Sequence, residues 1–306
     1  MTDHSYRTVD VPVVGGSLRV GIWEPETDPS ADVLVVHGVT ASHLAWPFVV
    51  DRLPGVRVIA PDLRGRGRSN ELTGPAGMAA HAADLAAVLD ELGIERIVVV
   101  GHSMGGFVAV VFAHLYPERV ARLVLVDGGL PLDVPAGLDP DTLVSRILGP
   151  TAARLSMRFA DVGEYRDFWR EHPAFRNDWT PELERYIEYD LVPDGEGLRP
   201  ATSYATTAQD TTDMNTGTTL PDALAGLRHP TLLITVPRGL MNEPPGLYSP
   251  EHLEPLLAAH PGGEHVRVEG RNHYTIVMSE EGADALAPLI RRELEAASES
   301  AAPARP

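Results

Sequence analysis

The stretch that most constrains this chain is residues 96–106, Arg-Ile-Val-Val-Val-Gly-His-Ser-Met-Gly-Gly. A β-branched apolar run of this length predicts a strand buried on both faces. It ends in Gly101-His102-Ser103-Met104-Gly105, which fits the pattern G-x-S-x-G. In that pattern the chain turns so sharply from strand to helix that the serine is held in a strained backbone conformation. Glycines two before and two after remove the side chains that would collide there. The turn lifts the hydroxyl clear of the sheet and sets it at the start of a helix, predicted over 105–116, whose free N–H groups favour developing negative charge. Ser103 is therefore the candidate nucleophile.

Around this element the sequence alternates short apolar runs with helical patterns. Residues 6–14 and 17–24 flank Gly15-Gly16 as an opening β-hairpin. Strands are expected at 32–36, 56–60 and 122–126, and helices at 42–53, with Trp46 and Phe48 on its buried side, and at 77–92. This alternation predicts an α/β fold, a mostly parallel sheet covered by helices on both faces. From 130 to 221 the rhythm stops: no strand is expected, only helical pieces at 140–148, 162–172 and 181–191. It returns with a strand at 231–236, a helix near 250–259, a strand at 264–268 and a helix at 280–297. The predicted organisation is a core of residues 1–129 and 222–297, a helical cap inserted at 130–221, and a disordered tail at 298–306.

Composition narrows the chemistry. The formal net charge is −18, and all 25 basic residues are arginines. Such a chain is expected to be repelled by nucleic acid and by anionic membrane. Without lysine there is no Schiff-base or pyridoxal chemistry, and zero cysteines remove a thiol nucleophile, disulfides and thiolate metal sites. The N-terminal residues carry neither a basic region nor an apolar one, and no run approaches a membrane span, so a cytoplasmic protein is expected.

A serine nucleophile needs a base, and the base an orienting acid. Among 12 histidines, His273 lies in the loop Glu269-Gly270-Arg271-Asn272-His273-Tyr274, after the last strand and before the closing helix. Loops there emerge at the carboxyl edge of the sheet, the edge that carries Ser103. His37 and His102, beside glycines at the same edge, are assigned to positioning and backbone hydrogen bonding. The others are expected on exposed helices, turns or cap pieces, solvated or packed. Oxyanion donors are expected from the N–H of Met104, at the helix start, and of Val39, in His37-Gly38-Val39-Thr40. The acid falls between Ser103 and His273 in chain order. After the strand at 231–236 the chain reads Pro237-Arg238-Gly239-Leu240-Met241-Asn242-Glu243, with arginine about where an aspartate is sought. Two acids stay open: Asp127, ending the strand next to the nucleophile strand, and Glu243.

These motifs, together with Pro61-Asp62-Leu63-Arg64-Gly65-Arg66-Gly67-Arg68-Ser69, make the chain resemble the α/β-hydrolase-fold proteins over residues 6–297. The resemblance implies an eight-stranded sheet, a helical cap after the sixth strand, and an active site between them. It includes members whose acid follows the sixth strand, where Asp127 stands. Haloalkane dehalogenases and epoxide hydrolases carry aspartate in place of Ser103 and are set aside. A serine there points to esters, lactones, thioesters, amides or the carbon–carbon bonds of certain diketones. The expected activity is a serine hydrolase, an esterase or lactonase, acting on a small, mainly apolar molecule. An acyltransferase or thioesterase, a carbon–carbon bond hydrolase and a non-catalytic binder are the alternatives. No cofactor and no metal are expected. Cap residues Phe168, Trp169, Phe175, Trp179, Tyr186, Tyr189, Tyr204 and Met214 are candidates to line a roomy apolar pocket, with Trp169, Tyr204 and Met214 taken as substrate-binding. The Thr-rich, aperiodic residues 201–213 are expected as a polar wall over the site.

Overall fold

The computed structural model describes residues 4–135, 137–260 and 262–301. Its strands, in chain order, are β1 (His4–Val13), β2 (Gly16–Pro25), β3 (Ala31–Val36), β4 (Val56–Pro61), β5 (Ile97–His102), β6 (Val120–Val126), β7 (Leu191–Asp194), β8 (Gly197–Pro200), β9 (Thr231–Thr235) and β10 (Gly263–Arg267). Its helices are α1 (Pro47–Val50), α2 (Met78–Glu91), α3 (Met104–Leu115), α4 (Pro140–Leu148), α5 (Pro150–Arg154), α6 (Val162–Arg170), α7 (Pro181–Tyr189), α8 (Tyr204–Thr216), α9 (Thr219–Gly226), α10 (Pro250–Ala259) and α11 (Glu280–Ala301).

Eight strands form one sheet in the order β1-β2-β4-β3-β5-β6-β9-β10. The β1/β2 and β2/β4 pairs are antiparallel, and every later neighbour is parallel. The alternating side chains of each parallel strand enter two different cores. Leu34, Val36 and Val99 face α2 and α3, whereas Val33, Val35, Val98 and Val100 face α1 and α11. All are buried, and each such side chain contributes about 1.5–3 kcal/mol of hydrophobic stabilisation. Because the central strands run the same way, the ends of β5, β6, β9 and β10 open onto one edge, where the functional loops gather.

Several sequence expectations are corrected. The helix expected at 42–53 is broken into a 3₁₀ turn, His43–Ala45, and the short α1. Pro47 has no N–H to donate to the preceding turn and disfavours helix before it, and it begins α1 at the first position. The segment between β6 and β9 does contain strands: β7 and β8 pair antiparallel in a separate two-stranded sheet. Pro193 and Pro200 concealed them, since proline cannot donate to a ladder and argues against a strand except at edges and strand ends. The Thr-rich stretch is mostly the helix α8, capped by the Ser203 hydroxyl accepting from the Thr206 N–H. Its buried face is Thr207, Asp210, Thr211 and Met214, a helical spacing carried by polar residues and so invisible to an apolar pattern. Residues 298–301, expected as tail, extend α11, with Ser300 bonding back to the Ala296 carbonyl. Ala and Glu in this stretch are good helix formers. Residues 302–306 lie outside the described residues.

The inserted segment packs into both cores of the sheet. Val144, Leu148 and Met214 join one, while Phe159, Tyr165, Trp169, Phe175, Leu183 and Ile187 join the other.

Candidate active site

Ser103 follows β5 directly and caps α3 with φ +54° and ψ −124°, a region that costs a non-glycine residue about 1–3 kcal/mol. Close packing enforces it. A Cβ at Gly101 would collide with the Gly105 carbonyl, one at Gly105 with the Val36 carbonyl, and one at Gly128 with the Ser103 carbonyl. The Ser103 N–H donates to the Val126 carbonyl at 2.9 Å, tying the elbow to the end of β6.

The residue directly after β6 is Asp127, fully buried, with φ +45° and its N–H bonded to the Ile234 carbonyl. Its Oδ2 accepts from His273 Nδ1 at 2.6 Å, and its Oδ1 faces the Val236 N–H at 3.4 Å. A carboxylate on Nδ1 leaves Nε2 as the free acceptor of the imidazole. Of the two acids open in the sequence, Asp127 is the one that meets His273. Glu243 is exposed, and its carboxylate folds back toward Gly239. Arg238, standing where an acid was sought, instead fixes the histidine loop. Its carbonyl accepts the His273 N–H at 3.0 Å, and its Nη2 donates to the Gly270 carbonyl at 2.7 Å. Asn272 braces the same loop, its Oδ1 accepting the N–H groups of Tyr274 and Thr275.

The loop after β3 approaches Ser103 closely: a Cβ at Gly38 would lie 3.1 Å from the Ser103 Cβ. His37 holds this loop as a neutral imidazole. Its Nδ1–H donates to the Gly38 carbonyl at 2.7 Å and its Nε2 accepts the Leu63 N–H at 2.9 Å, while burial pushes its pKa down to about 4. Val39 and Met104 line the same cavity as Ser103 and His273. Met104 is the first residue of α3, so its N–H has no acceptor within the helix. His102 donates Nε2–H to the His273 carbonyl at 2.8 Å, and burial, then the neighbouring His273, holds its pKa well below the ordinary histidine value. Among the described residues no hydrogen bond joins the Ser103 hydroxyl to His273; such contacts are commonly long before substrate binds.

A model of the alpha/beta hydrolase fold matches residues 33–181. The elbow at Ser103 lies within that match, and outside it the sheet order and the histidine loop after β10 follow the same fold. The chain has the α/β-hydrolase fold. Lipase LipV of Mycobacterium tuberculosis is 45% identical over 103 residues, 34% of this chain and 39% of LipV. A 2-hydroxy-6-oxononadienedioate/2-hydroxy-6-oxononatrienedioate hydrolase of Burkholderia vietnamiensis is 42% identical over 127 residues, 40% of this chain and 44% of that enzyme. The alignments thus span less than half the length of these relatives. The crystal structure of E-2-(acetamidomethylene)succinate hydrolase superposes with a TM-score of 0.76 at 22% identity, covering 94% of this chain and 100% of that one, a likeness of fold.

In this α/β-hydrolase-fold protein the cavity over Ser103 has a volume of about 40 Å³. It is far from roomy. Drug-sized ligands occupy pockets of about 300–1,000 Å³. Its walls are Phe107 from α3, Leu132, Ile147, Leu148 and Met214 from the inserted segment, Leu240 and Leu247 from the loop after β9, and Tyr274 and Met278 beyond His273. Of the three residues taken from the sequence as substrate-binding, Met214 alone lines it. Trp169 is buried behind Tyr274, ring centroids 6.4 Å apart, under the Arg154 guanidinium. Tyr204 turns away, its hydroxyl donating to Asp141 at 2.7 Å. The expected aromatic lining therefore fails, because Trp169 packs in the core of the inserted segment and Tyr204 bonds Asp141 away from the cavity.

Sequence reading also missed two buried carboxylate–imidazole pairs. Asp62 accepts from His43 Nδ1 at 2.7 Å, and Asp210 from His81 Nε2 at 3.0 Å, with all four side chains fully buried. His43 and His81 thus do not lie on exposed elements. Burial alone would raise both carboxyls, but the histidine partners and, for Asp210, Arg66 outweigh it and hold them below the usual carboxylate range. Among the described residues no group of His, Asp or Glu is placed to hold a metal ion, and no helix is long and apolar enough to cross a membrane.

Proposed function

We propose that the protein is a serine hydrolase that cleaves a carboxylic ester or lactone of a small, mainly apolar molecule through an acyl-enzyme. The observation that carries this reading is the buried Asp127–His273 pair, bonded at 2.6 Å, opening onto the same cavity as Ser103. Ser103 Oγ attacks the carbonyl carbon while His273 Nε2 takes its proton. The N–H groups of Val39 and Met104 hold the oxyanion. The tetrahedral species then expels the alcohol, which takes the proton from His273 and leaves the acyl group on Ser103. Water repeats the sequence, with His273 as base, and releases the acid.

Substrate class follows from the walls. The cavity has apolar side chains and no charged one other than a protonated His273, and its volume fits a short acyl group. The similarity to a dienedioate hydrolase raises carbon–carbon bond cleavage as a second reading, but a dicarboxylate would meet no cation in this lining. Acyl transfer or thioester cleavage uses the same acyl-enzyme. With a formal charge of −18, we propose a small-molecule substrate rather than nucleic acid or membrane, and a cytoplasmic setting without cofactor.

The test is incubation with a serine-directed phosphonate, peptide mass spectrometry, and hydrolysis of p-nitrophenyl acetate and butyrate by the wild type and Ser103→Ala. Labelling at Ser103 and loss of hydrolysis in the variant are expected. Folded protein that neither labels nor hydrolyses, or labels only elsewhere, removes the hydrolase reading.

A further inference from the structure

Arg66 is a fully buried cation outside the Ser103–His273–Asp127 set. Its Nε donates to the Val39 carbonyl at 2.8 Å, its Nη1 to the Arg64 carbonyl at 2.9 Å and to Asp210 Oδ2, and its Nη2 faces the Met104 sulfur at 3.9 Å. One guanidinium therefore touches both residues whose N–H groups are placed as oxyanion donors. Its anchor, Asp210, sits on α8 and also accepts from the Gly77 N–H at 2.7 Å and from His81 Nε2 at 3.0 Å. Met214, one turn further along α8, lines the cavity.

Burying an ion pair brings little net stability, and an apolar pair of similar volume commonly does as well. What an apolar pair cannot do is hold a backbone carbonyl. The planar fork of an arginine fixes the direction of each acceptor it bonds. Bonding the Val39 carbonyl restricts the torsions of Val39, and with them the direction of its N–H. The geometry points to Arg66 as a positioning residue that aims the Val39 oxyanion donor and packs against the side chain of Met104, with Asp210 of α8 holding it in place. This rests on the hydrolase reading above, since it assigns a role within the same site.

The experiment compares wild type with the double variant Arg66→Met/Asp210→Asn, which removes both charges and leaves no buried ion unpaired; the asparagine oxygen can still accept from Gly77. Two substrates are used, a p-nitrophenyl butyrate and the matching thionoester. Sulfur accepts N–H hydrogen bonds poorly, so well-aimed donors favour the oxoester and misaimed ones favour it less. The double variant is expected to lose about 10- to 100-fold in kcat, a part of what removing one donor outright costs, with KM within about threefold. Its oxoester-to-thionoester ratio of kcat is expected to fall by about fivefold or more. A folded double variant with kcat within twofold of wild type, or one with lower kcat and an unchanged ratio, overturns the proposal. Should circular dichroism show the double variant unfolded, Arg66→Lys, which can hold at most part of the fork, is read by the same ratio and decides it. Wild type that hydrolyses neither substrate and takes no phosphonate at Ser103 fails the hydrolase reading instead, a separate outcome.

Discussion

Replacing Asp127 by asparagine separates the two acids the sequence left open, and its size follows from the geometry. When His273 becomes an imidazolium in the transition state, its charge forms beside a carboxylate whose Oδ2 lies 2.6 Å from Nδ1. Taking the charge centres about 4 Å apart at an effective dielectric of 20, the attraction is about 4 kcal/mol, or about three powers of ten in rate. Asparagine also can turn its NH₂ toward Nδ1 and so favour the tautomer that cannot accept the serine proton; the same exchange in a Ser-His-Asp triad costs about 10⁴-fold. The expected loss in kcat for Asp127→Asn is thus about 10³–10⁴-fold, with KM little changed. Glu243→Gln, on an exposed residue turned toward Gly239, should cost less than about tenfold. Both variants are assayed on a saturating short-chain ester after circular dichroism and urea midpoints have been compared, because Asp127 also faces the Val236 N–H. A crippled Glu243→Gln beside a nearly normal Asp127→Asn refutes this reasoning.

Acid should destabilise the protein through His37. Burial lowers its pKa to about 4 in the folded state, so its contribution is complete above the unfolded value of about 6.5 and is lost as pH falls toward 4. Between pH 7 and pH 4.5 that is about 2 kcal/mol, and urea unfolding of His37→Gln should show a pH slope shallower by that amount; equal slopes speak against it. Leu148 is buried against the cavity, so Leu148→Ala should raise kcat/KM for hexanoate relative to acetate esters by about tenfold, measured by competition. An unchanged chain-length preference would place the acyl group elsewhere.

By itself the sequence determined the α/β fold and the elbow. Valine-rich runs between glycines can be buried on both faces only as parallel strands, and Gly101-His102-Ser103-Met104-Gly105 admits few backbone paths. It also placed His273 at the right edge, because loop order along a parallel sheet is loop order in space. Only the tertiary structure decided between Asp127 and Glu243, since the choice turns on which loop lies against the imidazole. Arg238 shows the same limit: its place in the sequence is that of an acid, yet its backbone carbonyl and guanidinium brace the histidine loop. The cavity walls were least legible. Aromatic residues of the inserted segment turned inward to fill its core, while scattered Leu, Ile and Met from distant segments met over Ser103. The buried Arg66–Asp210 pair joins residues far apart in the chain, and α8 hides its helical face in threonine and aspartate. Local chemistry fixes the backbone's options, whereas side chains separated by a hundred residues or more are brought together only by packing.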